Sequence, residues 1–227
     1  MTIPDQFDLP RRLVAEGLGT ALLVATIVGS GIMGEQLAGG NAAIALLGNT
    51  LATGAMLIVL ISVFGQISGA HFNPVVSLSF AVQRRLSWHD FFSYVAVQII
   101  AAIVGTILAH AMFELPLIQA SSHIRTGVGV WIGEIVASFG LLATILGCLR
   151  SRPDVVPYAV GLFITAGYWF TSSTSFANPA VTIARSLTDT FSGIMPADVP
   201  VFIFMQIIGG LLATIIFSWL WTVDAKH

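Results

Sequence analysis

The chain has 227 residues, 56% of them hydrophobic and only 9% charged, with a net charge of −2 and a single cysteine. A soluble domain carries about 25% charged residues, so this chain cannot clothe a water-facing surface and is read as an all-α membrane protein with the lipid bilayer as its partner. One cysteine, Cys148, excludes a disulfide framework and a cysteine metal site.

Six long apolar segments read as spanning helices. They cover roughly 11–34, 42–64, 88–112, 128–150, 157–172 and 199–222. Arg11 and Arg12 precede the first, which continues as a membrane helix and not as a cleavable signal. The connectors are polar or broken. Two of them, "GAHFNPVVSLSF" and "SFANPAVTIARS", carry an Asn-Pro pair followed by a short apolar segment, 74–83 and 179–187. Neither segment is long enough to span, so each is expected to be a half-helix dipping into the membrane. Irregular backbone survives at that depth only where protein buries it or a cavity hydrates it.

Positive charge sets the orientation. On this topology Arg11, Arg12, Arg84, Arg85, Arg150, Arg152 and Lys226 share one side, Arg125 and Arg185 the other. The crowded side is expected to be the cytoplasm, with both termini there. The short loops suit a cell (inner) membrane of a bacterium.

The chain repeats itself. "EGLGTALLVATIVG" from Glu16 resembles "EIVASFGLLATILG" from Glu134, and "VQIIAAIVGTIL" from Val97 resembles "MQIIGGLLATII" from Met205. "NPVVSLSFAV" pairs with "NPAVTIARSL". The order is the same in both halves, about 11–112 and 128–222: Glu helix, Asn-Pro half-helix, Gln helix. Three spanning helices is an odd number, so the second copy must insert upside down, an inverted repeat about an axis in the membrane plane.

Asparagine is a favoured helix N-cap, and proline suits the first helical position, whose N–H needs no partner. Asn73-Pro74 and Asn178-Pro179 therefore start helices, and the inverted repeat brings the two starts together near the midplane. Each N-terminus carries about half a positive charge and unpaired donors. Together they oppose cations and offer N–H groups to a neutral polar molecule. The loops before them, Gly69-Ala70-His71 and Thr174-Ser175-Phe176, are expected to show backbone carbonyls along one strip of a narrow path. Apolar helix surface would form the opposite wall. Such a path suits passive movement of small neutral polar solutes.

With these residues the chain resembles the aquaporin and aquaglyceroporin (major intrinsic protein) family over essentially its whole length. "SGAHFNPVVSL" is similar to the family's first motif with Val75 in place of the usual alanine, and Asn178-Pro179-Ala180 is intact. The resemblance implies an aquaporin-like fold, a right-handed bundle of six helices plus two half-helices. It also implies one channel domain over 1–227, a homotetramer with a pore in each subunit, and water, glycerol, urea or arsenite as solutes. Glu16 and Glu134 would each accept hydrogen bonds from a re-entrant loop and hold its shape.

The family's outer constriction has four positions. Counting back from each asparagine without a gap places them at Thr53, Ala166, Ser175 and Val181. An arginine is normal at the last; this chain has valine there, with Val76 at the matching place in the first repeat. Losing arginine removes a fixed charge and five donors and widens the pore. A hydroxyl stripped of water without a partner costs about 2–7 kcal/mol; Thr53, Ser175 and backbone carbonyls would offset part of that. This small, arginine-free set looks similar to the aquaglyceroporins of bacterial arsenic-resistance operons. Arsenous acid, glycerol and urea are therefore the expected solutes, with a water-selective pore as the alternative.

Arg185 lies one turn past Val181; it is expected to face solvent or headgroups, the alternative being a fold back toward the mouth. The loop "TSSTSFANP" lacks a glycine, so any residue in it at positive φ is a strained one. Glu16 and Glu134 could also serve a proton-coupled transporter, since intramembrane carboxylates are costly without a partner. A non-conducting structural protein of the same fold is a further alternative. Gln98 and Gln206 read as buried polar partners. His71 either lines the cytoplasmic half of the pore or packs as a hydrogen-bonded histidine. Gly129-xxx-Gly133 is expected to allow close helix approach. The histidines are scattered without metal-ligand spacing and no catalytic set stands out, so no enzyme, cofactor, metal or nucleic-acid partner is expected.

Overall fold

The computed structural model describes residues 7–222; Lys226, counted above with the cytoplasmic charges, lies outside the described residues. No strand occurs among them. The helices are α1 (Leu9–Leu37), α2 (Ala42–Ser68), α3 (Pro74–Val82), α4 (Trp88–Met112), α5 (Val128–Ser151), α6 (Val156–Phe170), α7 (Pro179–Arg185) and α8 (Val199–Leu220). Short 3-10 turns, Pro153–Val155 and Pro196–Asp198, lead into α6 and α8. The starts follow capping chemistry: Asp8, Asn41 and Ser87 accept backbone N–H bonds at the heads of α1, α2 and α4.

Five helices, α1, α2, α4, α5 and α8, are long and apolar enough to cross a membrane. α6 has 15 residues, a rise of about 22 Å, and is shorter than the expected 157–172. It stops because Thr171 turns to extended backbone, φ −102° and ψ 137°. α7 likewise ends before residue 187, its last turn tightening into bonds such as Leu187 N to Ala184 O at 3.1 Å.

α1 packs on α2 and α4, and α5 packs on α6 and α8. α2 faces α6, while α3 and α7 each lie against both α4 and α8. Exchanging α1–α4 for α5–α8 maps this pattern onto itself, so the sequence repeat is also a repeat of packing. At the centre α2 and α6 come close: a Cβ on Gly161 would stand 2.6 Å from Gly54 O. The Gly129-xxx-Gly133 pair works differently from expectation. Gly129 faces open space, and Gly133 admits the loop before α7, since a Cβ there would meet Ser173 Oγ at 3.1 Å.

Large apolar side chains point outward, among them Leu18, Val63, Ile100, Ile132 and Ile215. In water such a surface would cost about 25 cal/mol per Å²; against lipid it costs nothing. The buried interior, by contrast, holds many polar groups, including Glu16, Glu134, Gln98, Gln206, Asn73 and Asn178. The fold therefore turns its polar groups inward, onto the two half-helices.

Candidate pore

The two carboxylates hold the two loops in matching ways. Glu16, fully buried on α1, accepts from His71 N at 2.8 Å, Phe72 N at 2.7 Å, Ser68 Oγ at 2.7 Å and Gln98 Nε2 at 2.8 Å. Glu134, fully buried on α5, accepts from Phe176 N at 2.9 Å, Ala177 N at 3.0 Å and Gln206 Nε2 at 2.5 Å. Each glutamine also bonds the hydroxyl in its own half-helix, Gln98 to Ser77 at 3.1 Å and Gln206 to Thr182 at 2.8 Å. A buried carboxylate with three or four donors has the partners it needs without a mobile proton.

That support is needed because the loops are strained. Gly69, Ala70 and Phe72 have φ of 87°, 49° and 49°; Thr174, Ser175 and Ala177, at the matching places, have 60°, 51° and 47°. A non-glycine residue there costs about 1–2 kcal/mol. The second loop has Thr174 where the first has Gly69, so the missing glycine is a strained threonine.

Each Asn-Pro pair caps its half-helix. Asn73 Oδ1 accepts from Val75 N at 2.9 Å; Asn178 Oδ1 accepts from Ala180 N at 3.0 Å and Val181 N at 3.3 Å. Pro74 and Pro179 occupy the first turn. The asparagines also tie the two halves together: Asn73 Nδ2 donates to Ala177 O at 2.7 Å, and Asn178 Nδ2 to Phe72 O at 2.8 Å. An amide nitrogen carries two N–H groups, so each asparagine retains one donor after this bond. Val75, the departure from alanine, is accommodated across the bundle by Gly210, whose absent side chain leaves room for the extra methyl groups.

One long cavity runs past both asparagines. Gly69, Ala70, His71, Phe72 and Asn73 line it from the first loop, and Ser175, Phe176 and Asn178 from the second. Pro153, Asp154 and Arg185 also line it. Leu23, Ile27, Leu141, Ile145, Val160 and Ile164 supply an apolar wall. Of the loop residues expected along the path, Thr174 stands apart; its Oγ1 is 3.5 Å from Arg125 Nη1. His71 both lines the cavity and is hydrogen-bonded: Nδ1 lies 3.0 Å from Ser77 Oγ, while Nε2 is buried without a protein partner.

Of the four expected constriction residues, Thr53, Ser175 and Val181 line this cavity and Ala166 does not. Ala166 is exposed on the outer face of α6. Tyr168 of the same helix does line it, with its hydroxyl 3.4 Å from Thr53 Oγ1. Ungapped counting failed because α6 ends at Phe170 and the non-helical residues that follow change the register. The usable signal was a tyrosine hydroxyl in an apolar helix, which needs a partner when buried. Arg185 also departs from expectation. It is 2% exposed, its guanidinium carbon lies 3.4 Å from the Phe176 ring centroid, and its Nε donates to Ser192 O.

Cys148 sits on α5 and packs against the core outside the cavity lining. Mercurials are therefore expected to leave solute flux within about twofold of the untreated value, because thiolate capture there occludes nothing. Flux measured with and without mercuric chloride checks this; strong block abolished by Cys148→Ser would contradict it.

The chain matches the family model described as "Major intrinsic protein" over residues 5–175. It is 55% identical over 216 residues to "Aquaglyceroporin AqpS" of Rhizobium meliloti (strain 1021), covering 95% of this chain and 92% of that protein. It is 28% identical over 222 residues to "Aquaporin NIP2-1" of Oryza sativa subsp. japonica, covering 94% of this chain and 70% of that one. The fold is similar to the X-ray structure of the aquaglyceroporin from Plasmodium falciparum, with a TM-score of 0.70 at 20% identity over 94% of this chain and 96% of that chain.

Proposed function

We propose that this chain, which belongs to the major intrinsic protein family and is an integral membrane channel for small neutral solutes, is a wide pore for glycerol, urea and arsenous acid as well as water. The observation that carries this reading is the mixed lining of the cavity. Asn73, Asn178, His71 and Ser175 line it together with aliphatic residues such as Leu23, Ile27, Val160 and Ile164. A solute that carries both hydroxyls or amides and carbon finds partners for both in such a lining.

The constriction is assigned to Thr53, Tyr168, Ser175 and Val181. Valine where the resemblance leads one to expect arginine leaves width, and the hydroxyls supply partners. Tyr168 favours a second reading, a narrower and more water-selective pore, because an aromatic ring occupies space that Ala166 would have left open. Glu16 and Glu134 are assigned to loop support and not to proton coupling, since their oxygens are taken up by loop N–H groups and glutamines. Flux is then passive and bidirectional, without catalysis. The assembly is assigned as a homotetramer in the cell membrane with both termini cytoplasmic.

A solute panel tests this. Proteoliposomes are expected to take up arsenous acid, glycerol and urea at least about tenfold faster than protein-free vesicles. Rapid water movement with solute uptake at the protein-free rate would favour the narrower reading.

A further inference from the structure

The packing repeat gives Arg185 a counterpart. The offset that relates Asn73 to Asn178 also relates Val76 to Val181, His71 to Phe176 and Phe80 to Arg185. All of these residues line the cavity. In the first half the Phe80 ring packs on His71, with centroids 4.5 Å apart. In the second half the Arg185 guanidinium packs on Phe176 at 3.4 Å. The same backbone position thus presents an aromatic ring on one side of the asparagines and a cation on the other.

Arg185 is not neutralised locally. Among the described residues none of the ion pairs includes it. The charged groups near it are Arg125, of like sign, and Glu134, whose carboxylate is already shared among two loop N–H groups and Gln206. Arg125 is itself held by Gly193 O at 2.7 Å and stands 5.1 Å from the same Phe176 ring. Arg185 uses its Nε on Ser192 O, so the terminal nitrogens of its fork are those left to the cavity.

We propose that Arg185 is a specificity-determining residue of this pore, a cation barrier set one helical turn outside the width-determining Val181. This rests on the channel reading above and deepens it. Four residues of α-helix separate the two by about 6 Å. Width and charge are then set at different depths: the valine lets bulky neutral solutes through, and the guanidinium repels cations and offers N–H groups to solute oxygens. The pore is wide without being leaky to ions.

The test uses the full chain in proteoliposomes, with sodium leak and glycerol flux read in parallel. Arg185→Leu is expected to raise sodium leak at least about tenfold, and glycerol entry above the protein-free rate, at whatever level, shows that its pore is folded and open. Arg185→Lys, which keeps the charge, is expected to stay within about twofold of the wild-type leak. Arg185→Gln keeps an N–H for Ser192 O and is read as the leucine variant is, should that variant not fold. Unchanged sodium leak in a glycerol-conducting Arg185→Leu or Arg185→Gln variant overturns the proposal. Wild-type water flux is measured separately; its absence would overturn the channel reading that the proposal rests on, whatever the leak shows.

Discussion

Glu134→Ala is expected to abolish solute flux and to lower stability by about 3–9 kcal/mol. Three donors converge on that carboxylate: Phe176 N, Ala177 N and Gln206 Nε2. Each buried donor left unpaired costs about 1–3 kcal/mol. The loop they belong to also carries three non-glycine residues at positive φ, a conformation that persists only when its surroundings enforce it. Total stability is about 5–15 kcal/mol, so the loss is large. Glu134→Gln is milder yet still damaging, because an amide nitrogen cannot accept from a backbone N–H. Glu16→Ala is expected to behave alike, through His71 N and Phe72 N. Thermal unfolding and glycerol flux check this; wild-type flux in Glu134→Ala would show that the loop holds itself.

Val181→Arg is expected to cut glycerol and urea flux at least about tenfold while reducing water flux less than about threefold. Val181 lines the cavity with Thr53, Tyr168 and Ser175, so a guanidinium there takes up space in the proposed constriction. Size discriminates: water passes a residual gap that glycerol does not. The new cation lies one turn from the buried Arg185, a like charge, so fluxes are compared only on variant protein that purifies folded. Equal reduction of water and glycerol, or no reduction, would place Val181 away from the constriction. The comparison needs only stopped-flow light scattering on the two proteins side by side.

The two half-helices were legible because their chemistry is local. An N-cap asparagine, a first-turn proline and a following apolar run define a helix start whatever surrounds it. Glu16 and Glu134 were legible because a carboxylate in lipid needs donors, and the repeated order of elements pointed to the loops. Tyr168 was missed because the end of α6 depends on where Thr171 leaves helical geometry, which no spacing rule determined. Arg185 was assigned to solvent because its partners are distant in kind: the Phe176 ring belongs to the loop before α7, and Ser192 O to the segment after it. The accommodation of Val75 by Gly210 was hidden for the same reason. Local capping can be read from sequence; cross-bundle partnership emerges only when the halves meet.

The most direct measurement is stopped-flow light scattering of the wild-type chain in liposomes, comparing glycerol with water, each with and without an imposed pH gradient. A passive wide pore predicts fast flux of both, with glycerol entry unaffected by the gradient. Glycerol entry at the protein-free rate beside fast water flux would contradict the width assigned to Val181, and gradient-driven entry would contradict passive conduction.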